Sequence, residues 1–334
     1  MTVAAGATGA ASGADRRAWA ERARERLDQG RLADLLVEMV AMPSPTGEEA
    51  ELARFLADHL GRAGLDARTQ QVEGRQANAV ATLRGTGGGV RLLLYSGIDT
   101  PFGGDGDEPW LGDEVRPDWS LPPQLGDGKV IGLGAENPKG FAAAVVAAAE
   151  AVAGAALPLQ GDVVVALASG SMPVRRPVEG KVATGLGSGI GRILDEIEPP
   201  DGAILVKPGY AVAHEEVGFA WFRIVVRGAL NYTGIRHKGP YRNPILAAAA
   251  LATGLETWLA EYAAAHTAGL VAPQGSINAI RAGNPDRLAF VPATAELDLD
   301  LRLGPDTSAD AAEAELRVPV DALAASLGEF EVTV

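Results

Sequence analysis

Between residues 16 and 42 apolar side chains recur at three- and four-residue intervals. Leu27, Leu32, Leu35, Leu36, Met39 and Val40 stand amid Arg, Glu and Asp, which predicts one amphipathic helix. Pro43-Ser44-Pro45 stops it. Thr46-Gly47-Glu48-Glu49 then has the spelling of a capping box, in which a Thr oxygen and a Glu carboxylate satisfy the free amides of a second helix reaching about residue 63. Short apolar runs at 77–83 and 90–95, separated by Gly85-Thr86-Gly87-Gly88-Gly89, read as strands. Residues 99–127, rich in Gly, Pro, Asp and Trp, read as a long loop. The Ala-rich stretch 140–155 reads as a helix, 163–168 and 203–206 as buried strands, and 190–197 as a further helix. Helices alternating with short continuous apolar strands predict an α/β domain with a largely parallel sheet.

The pattern changes near His214. A strand at 220–226 and a long Ala/Leu helix at 243–265 come first. Strands at 276–282 and 293–302, a helix at 308–327 and a strand at 329–334 follow, the βαββαβ order. The boundaries expected are a flexible tail over residues 1–15, an α/β domain over 16–212 and a βαββαβ domain over 213–334.

Composition narrows the function. A length of 334 residues suits about two domains. Apolar content of 47% with 22% charged residues is that of a globular chain. The N-terminus has neither a basic start nor an apolar h-region, and reads as a tail. No apolar run approaches the ~18 residues that a spanning helix needs. A net charge of −14 argues against nucleic acid or an anionic membrane as partner, since both demand clustered Lys and Arg. With no cysteine, thiolate metal sites and thiol nucleophiles are excluded, and a cytoplasmic location is the default expectation.

Three segments carry the candidate chemistry: Leu92-Leu93-Leu94-Tyr95-Ser96-Gly97-Ile98-Asp99-Thr100, Gly132-Leu133-Gly134-Ala135-Glu136-Asn137-Pro138-Lys139-Gly140, and Asp201-Gly202-Ala203-Ile204-Leu205-Val206-Lys207-Pro208. In order and spelling each resembles a metal-ligand segment of the dinuclear zinc hydrolases typified by aminoacylase, acetylornithine deacetylase and carboxypeptidase G. The opening Pro-Ser-Pro-Thr-Gly-Glu-Glu at 43–49 is similar to that family as well. Its frames read Gly-His-x-Asp-Thr, then Asp-x-Lys-Gly, then Gly-Glu-Pro. Here the corresponding ligand positions hold Gly97, Asn137 and Lys207. The resemblance runs from about residue 32 to 334. It implies a zinc-exopeptidase-like α/β domain, its C-terminal portion missing, with the βαββαβ domain as an inserted ferredoxin-like lid or dimerisation module.

A dinuclear site needs about six His or carboxylate ligands, one bridging, and a Glu as general base. Gly97 offers no donor and Asn137 only a neutral amide. Where the resemblance calls for a Glu-Glu pair after the strand at 163–168, the chain reads Ser169-Gly170-Ser171-Met172-Pro173. Tyr232 stands where the family commonly has a His that reaches a neighbouring site. The family's last His lies beyond the point at which this sequence stops. The four histidines, His59, His214, His237 and His266, show no ligand spacing. Asp99, which in the family orients a His, remains. Lys207 either neutralises Asp99 or carries its ammonium to solvent. Proline after Asn137 predicts a cis peptide there.

Gly185-Leu186-Gly187-Ser188-Gly189-Ile190-Gly191 matches neither the P-loop nor the dinucleotide spacing, and a connecting loop is expected over an anion cradle. Ser171 or Ser188 as a nucleophile would need a base, and no His or Lys is placed by spacing to serve. Asn278 and Arg302 match lid positions of the family. Arg302, beside Asp298 and Asp300, is expected to brace the sheet, while Asn278 suits a pocket or a structural role.

The function expected is therefore that of a catalytically degenerate relative that binds an amino-acid- or peptide-like ligand or serves as a partner subunit. Homodimers, or hetero-oligomers with an active relative, are the expected assemblies. No catalytic residue and no metal ligand are assigned, and the ligand-pocket candidates are Asp99, Asn137, Lys207 and Asn278. Two alternatives stay open. One is an active amidohydrolase of acylated amino acids or small peptides, using zinc through an atypical set such as Asp99, Glu136 and Glu179. The other is a truncated gene product with an uncovered sheet edge.

Overall fold

The computed structural model of the chain describes residues 12–103, 116–119, 121–174, 185–209, 211–328 and 330–334. Two compact units divide between Gly209 and Tyr210.

Unit 1 opens with α1 (Gly13–Arg24) and α2 (Gln29–Ala41) where the apolar spacing predicts a single helix. Asp28 makes the break. Its Oδ1 accepts from the amides of Gly30 at 2.8 Å and Arg31 at 3.1 Å, so a fresh N-terminus is capped in the middle of the periodic run. Ser12 and Asp15 form a reciprocal capping box that starts α1 inside the expected tail. The elements α3 (Ala50–Arg62), β1 (Asp66–Glu73), β2 (Gln76–Leu83) and β3 (Leu92–Gly97) follow. Within the expected 99–127 loop a short 3-10 turn spans Pro117–Trp119, and at its end β4 (Gln124–Gly126) forms a small hairpin with β5 (Lys129–Ile131) just beyond it. Then come α4 (Lys139–Gly154), β6 (Val163–Ala168), α5 (Ser188–Leu194) and β7 (Gly202–Leu205).

The five-stranded sheet runs β1-β2-β6-β3-β7. It is mixed, not largely parallel: β3 pairs parallel with β6 and β7, whereas β1–β2 and β2–β6 are antiparallel. The antiparallel half arises because β1 and β2 form a hairpin, and β1 escaped the sequence pattern because its residues are mostly polar. Leu52, Leu56 and Leu60 of α3 and the Ala/Val face of α4 pack with Met39 of α2 on one side of the sheet. On the other side Ile193 of α5 packs against Val80, Leu93, Val164 and Ala166. Small residues on α4 suit its close packing against α2 and the sheet, and coverage of both faces explains the continuous apolar runs of β2, β3 and β6. Strand β7, expected to be buried, is exposed along its length because it lies at the sheet edge.

Unit 2 contains β8 (Gly218–Arg227), β9 (Asn231–Tyr232), α6 (Pro244–His266), β10 (Gly275–Ala282), β11 (Phe290–Val291), β12 (Thr294–Leu303), α7 (Ala309–Leu327) and β13 (Glu331–Thr333). Its main sheet is antiparallel in the order β10-β12-β8-β13, the arrangement that a βαββαβ chain produces when both helices cover one face. Along β12, Ala295, Leu297, Leu299, Leu301 and Leu303 are buried while Glu296, Asp298, Asp300 and Arg302 alternate toward the other face. No helix among the described residues is long and apolar enough to cross a membrane.

Candidate functional site

In a parallel pair, both chains leave the sheet at the same end. Gly97 of β3 lies opposite Ala168 of β6, so Ile98-Asp99 and Ser169-Gly170-Ser171-Met172 emerge side by side. Strand carboxyl ends are where open α/β sheets place ligands. A third segment is stitched to this end. Thr46 and Thr100 exchange backbone bonds with their neighbours, Thr46 N–H to the Thr100 carbonyl at 3.0 Å and Thr100 N–H to that of Ser44 at 2.8 Å. The Ser44 hydroxyl donates to the Ile98 carbonyl at 2.8 Å.

Asp99 is fully buried at the junction. Its Oδ1 accepts from Ser171 N–H at 2.7 Å and Ser171 Oγ–H at 2.5 Å, and its Oδ2 from Met172 N–H at 2.9 Å and Thr46 Oγ1–H at 2.8 Å. A carboxylate offers about four lone-pair directions, and four donors occupy them. Lys207 is not among these donors; it is exposed, two residues beyond the Tyr95–Leu205 pair of β3 and β7. The Asp99 carboxylate is hydrogen-bonded by neutral hydroxyls and amides.

The expected capping box is absent. Glu49 is the N-cap of α3 but makes no side-chain cap bond there. Its Oε1 accepts from Gly47 N–H and Gly170 N–H, each at 2.9 Å, and Oε2 is buried without a hydrogen-bond partner among the described residues. Burial, and secondarily the charge of Asp99, pushes the Glu49 carboxyl up to about 8, so it carries its proton near neutrality. Thr46, the other half of the box, is committed to Asp99. Local spelling was overridden because both side chains meet the chain leaving β3 and β6.

Asn78 of β2 extends the buried network. Its Oδ1 accepts from the amide and hydroxyl of Ser169, both at 2.8 Å, and its Nδ2 donates to Gln70 and to the Gly189 carbonyl. A Cβ at Gly189 would fall 2.2 Å from the Ser169 carbonyl oxygen, so the first turn of α5, which takes up 188–191 where a connecting loop is expected, closes onto this network. Lys139, at the start of α4, is also buried, with Nζ donating to the Met42 carbonyl at 2.7 Å. Burial pulls its ammonium down to about 7. The Tyr95 phenol is raised to about 12 by burial first and by Asp99 second.

Space decides what this end of the sheet can hold. A Cβ added at Gly97 would lie 2.0 Å from Ser171 Oγ and 2.7 Å from its Cβ. The Ser171 side chain fills the volume that any larger residue at position 97 would need. Among the described residues, no three His, Cys, Asp or Glu side chains gather as a metal-binding group. Asn137 follows Glu136 on an exposed turn, and its peptide to Pro138 is cis, as the proline predicts. Both residues border a hollow of about 380 Å³ walled by Phe102 and Trp119, whose rings meet edge-on at 5.9 Å.

Asn278 belongs to unit 2 and is exposed on β10 where the register to β12 slips, and its Oδ1 accepts from the Ser276 hydroxyl at 2.7 Å. Arg302 clasps Asp300 of its own strand through Nε at 2.9 Å and Nη2 at 3.1 Å, and its guanidinium lies over the Phe219 ring of β8 at 5.6 Å. Asp298 instead accepts from Arg223 and Arg281. The Tyr232 ring meets that of Phe290 at a tilt of 45°, with centroids 5.6 Å apart. His59 and His266 each contact a Glu at 3.0 Å, and His214 is exposed. Glu179 lies outside the described residues.

No family profile matches the chain. Solved structures do match over nearly its whole length. Human carnosine dipeptidase 1 aligns with a TM-score of 0.62 at 17% identity, covering 95% of this chain and 78% of that one. The di-peptidase Dug1p of Saccharomyces cerevisiae gives 0.64 at 12% identity, covering 95% and 78%. The YXEP protein of Bacillus subtilis, a dinuclear metal-binding peptidase from the M20 family, gives 0.55 at 16%, covering 91% and 73%. The chain has the M20 peptidase fold. At these identities the fold is what is shared. Within that fold, sequence reasoning missed Thr46, Glu49 and Ser171 as members of one cluster. The signal available was Gly97 itself, since a residue without a side chain inside a retained frame invites a neighbour to fill the space.

Proposed function

We propose that the chain is a non-catalytic relative of the M20 hydrolases that holds an amino-acid- or peptide-like ligand or acts as a partner subunit. The observation that carries this reading is the filled position beside Asp99. Ser171 occupies the space over Gly97, and the Asp99 carboxylate spends all its lone pairs on four protein donors. With Asn137 a neutral amide and Lys207 a cation, the residues at this end of the sheet do not fit a pair of divalent ions. For a ligand, the hollow between Phe102, Trp119 and Asn137 offers an aromatic wall and an amide that both donates and accepts. For a partner, support comes from apolar side chains left exposed, Ile204 and Leu205 on β7 and Leu230, Leu288 and Phe290 in unit 2.

The test is the metal content of the purified chain after incubation with zinc and desalting, by elemental mass spectrometry. Near zero is expected, together with no hydrolysis of acyl-amino acids or dipeptides. About two equivalents per chain with turnover would overturn the reading, because a dinuclear site is what that chemistry requires.

A further inference from the structure

We propose that a second hollow, on the helical side of unit 1, binds a small molecule with an anionic head and an apolar body. It has a volume of about 410 Å³, within the roughly 300–1,000 Å³ usual for small-molecule sites. Helices α2, α3 and α4 and the turn before α2 supply its walls. Arg26, Arg31 and Arg62 line it, in a chain whose net charge is −14.

The hollow contains two carboxylates, and both are already committed. Glu150 Oε1 accepts from Arg31 Nη2 and faces His59 Nε2, each at 3.0 Å. Asp28 Oδ1 caps α2 through the amides of Gly30 and Arg31. Arg26 and Arg62 have no carboxylate partner among the described residues. Arg26 and Arg62 thus line the hollow with their guanidiniums unanswered by a carboxylate, and a planar fork suits a carboxylate or phosphate head. The remaining lining is hydrocarbon, with Leu27 half-exposed, Leu32 and Ala63 partly buried and Leu35 at the floor. This combination selects an amphiphilic anion over a bare one. The surface is separate from the strand-end cluster around Asp99, and the inference does not rest on the function proposed there.

The test is isothermal titration calorimetry of the full chain with octanoate, octyl phosphate, inorganic phosphate and 1-octanol. Saturable one-to-one binding of octanoate or octyl phosphate is expected, weakening as salt is raised. The tighter of the two identifies the head group. Inorganic phosphate and 1-octanol, each lacking one half of the ligand, should bind at least about tenfold more weakly. The Arg26→Gln/Arg62→Gln variant should lose about tenfold or more in affinity with its melting temperature unchanged, while Arg26→Lys/Arg62→Lys retains binding. The proposal is overturned by an absence of saturable heat up to roughly millimolar ligand, by equal affinity in the glutamine variant, or by 1-octanol binding as tightly as octanoate.

Discussion

Gly97 and Ser171 act as one unit, and their dependence is measurable. Gly97→Ala would drive a methyl group into Ser171 Oγ, and overpacking of this kind destabilises by about 1–3 kcal/mol. Gly97→Ala/Ser171→Gly removes the obstacle, so the double variant is expected to recover part of that loss in urea unfolding, a positive coupling in the double-mutant cycle. A neutral Gly97→Ala would show that Ser171 does not fill the site. Glu49 gives a second test. Its carboxyl is raised from 4.5 to about 8 in the folded chain, so the folded state holds a proton that the unfolded state releases first. Its contribution is fully present below about 4.5 and disappears as pH rises toward about 8. Lys139 acts in the opposite sense: its ammonium is depressed from 10.5 to about 7, so stability recovers as pH climbs from about 7 toward 10.5. Thermal unfolding of the wild type should therefore weaken between pH 5 and about 7, and Glu49→Gln should flatten that slope. An identical slope in the variant would remove Glu49 as its cause.

Single side chains also decide where elements begin. The apolar repeat at 16–42 is genuine, since Leu35, Met39 and Val40 are buried, yet it cannot signal the break that Asp28 caps. Asp28→Ala is expected to lower stability by about 1 kcal/mol in urea unfolding and to fray the start of α2 in hydrogen exchange. Unchanged protection of the Gly30 and Arg31 amides would contradict that role. At the start of α3 a capping spelling was legible, but Thr46 and Glu49 turned to partners distant in sequence, at Asp99 and Gly170. Strand β1 was illegible for the converse reason: its polar residues pair with β2 along an edge, and only Gln70 is buried. The strands β2, β3 and β6 were legible because continuous apolar runs are what two-sided burial demands, whereas β7 carries such a run exposed at the sheet edge.

At the scale of the molecule, the β7 edge and the exposed apolar residues of unit 2 motivate assembly. Multi-angle light scattering at micromolar concentration should give a dimer or larger species, and a monodisperse monomer would sink the homodimer. A cooperative melt is expected of a chain whose two units each bury a hydrophobic core, and aggregation without a transition would contradict that expectation. Apolar periodicity along the chain determined the alternation of helices and strands and the βαββαβ order of the second unit, while the residue identities at positions 97, 137 and 207 depart from the ligand types of the zinc hydrolase frames that they resemble. Those features are local or compositional, and each residue carries them wherever it lies. Tertiary structure alone decided that the sheet is mixed, that Glu49 holds a proton, that Ser171 closes the space over Gly97, and that three arginines share one hollow. Each of these depends on groups tens of residues apart meeting at a strand end or between helices, where burial and lone-pair occupancy set the chemistry and sequence spacing carries no record of it.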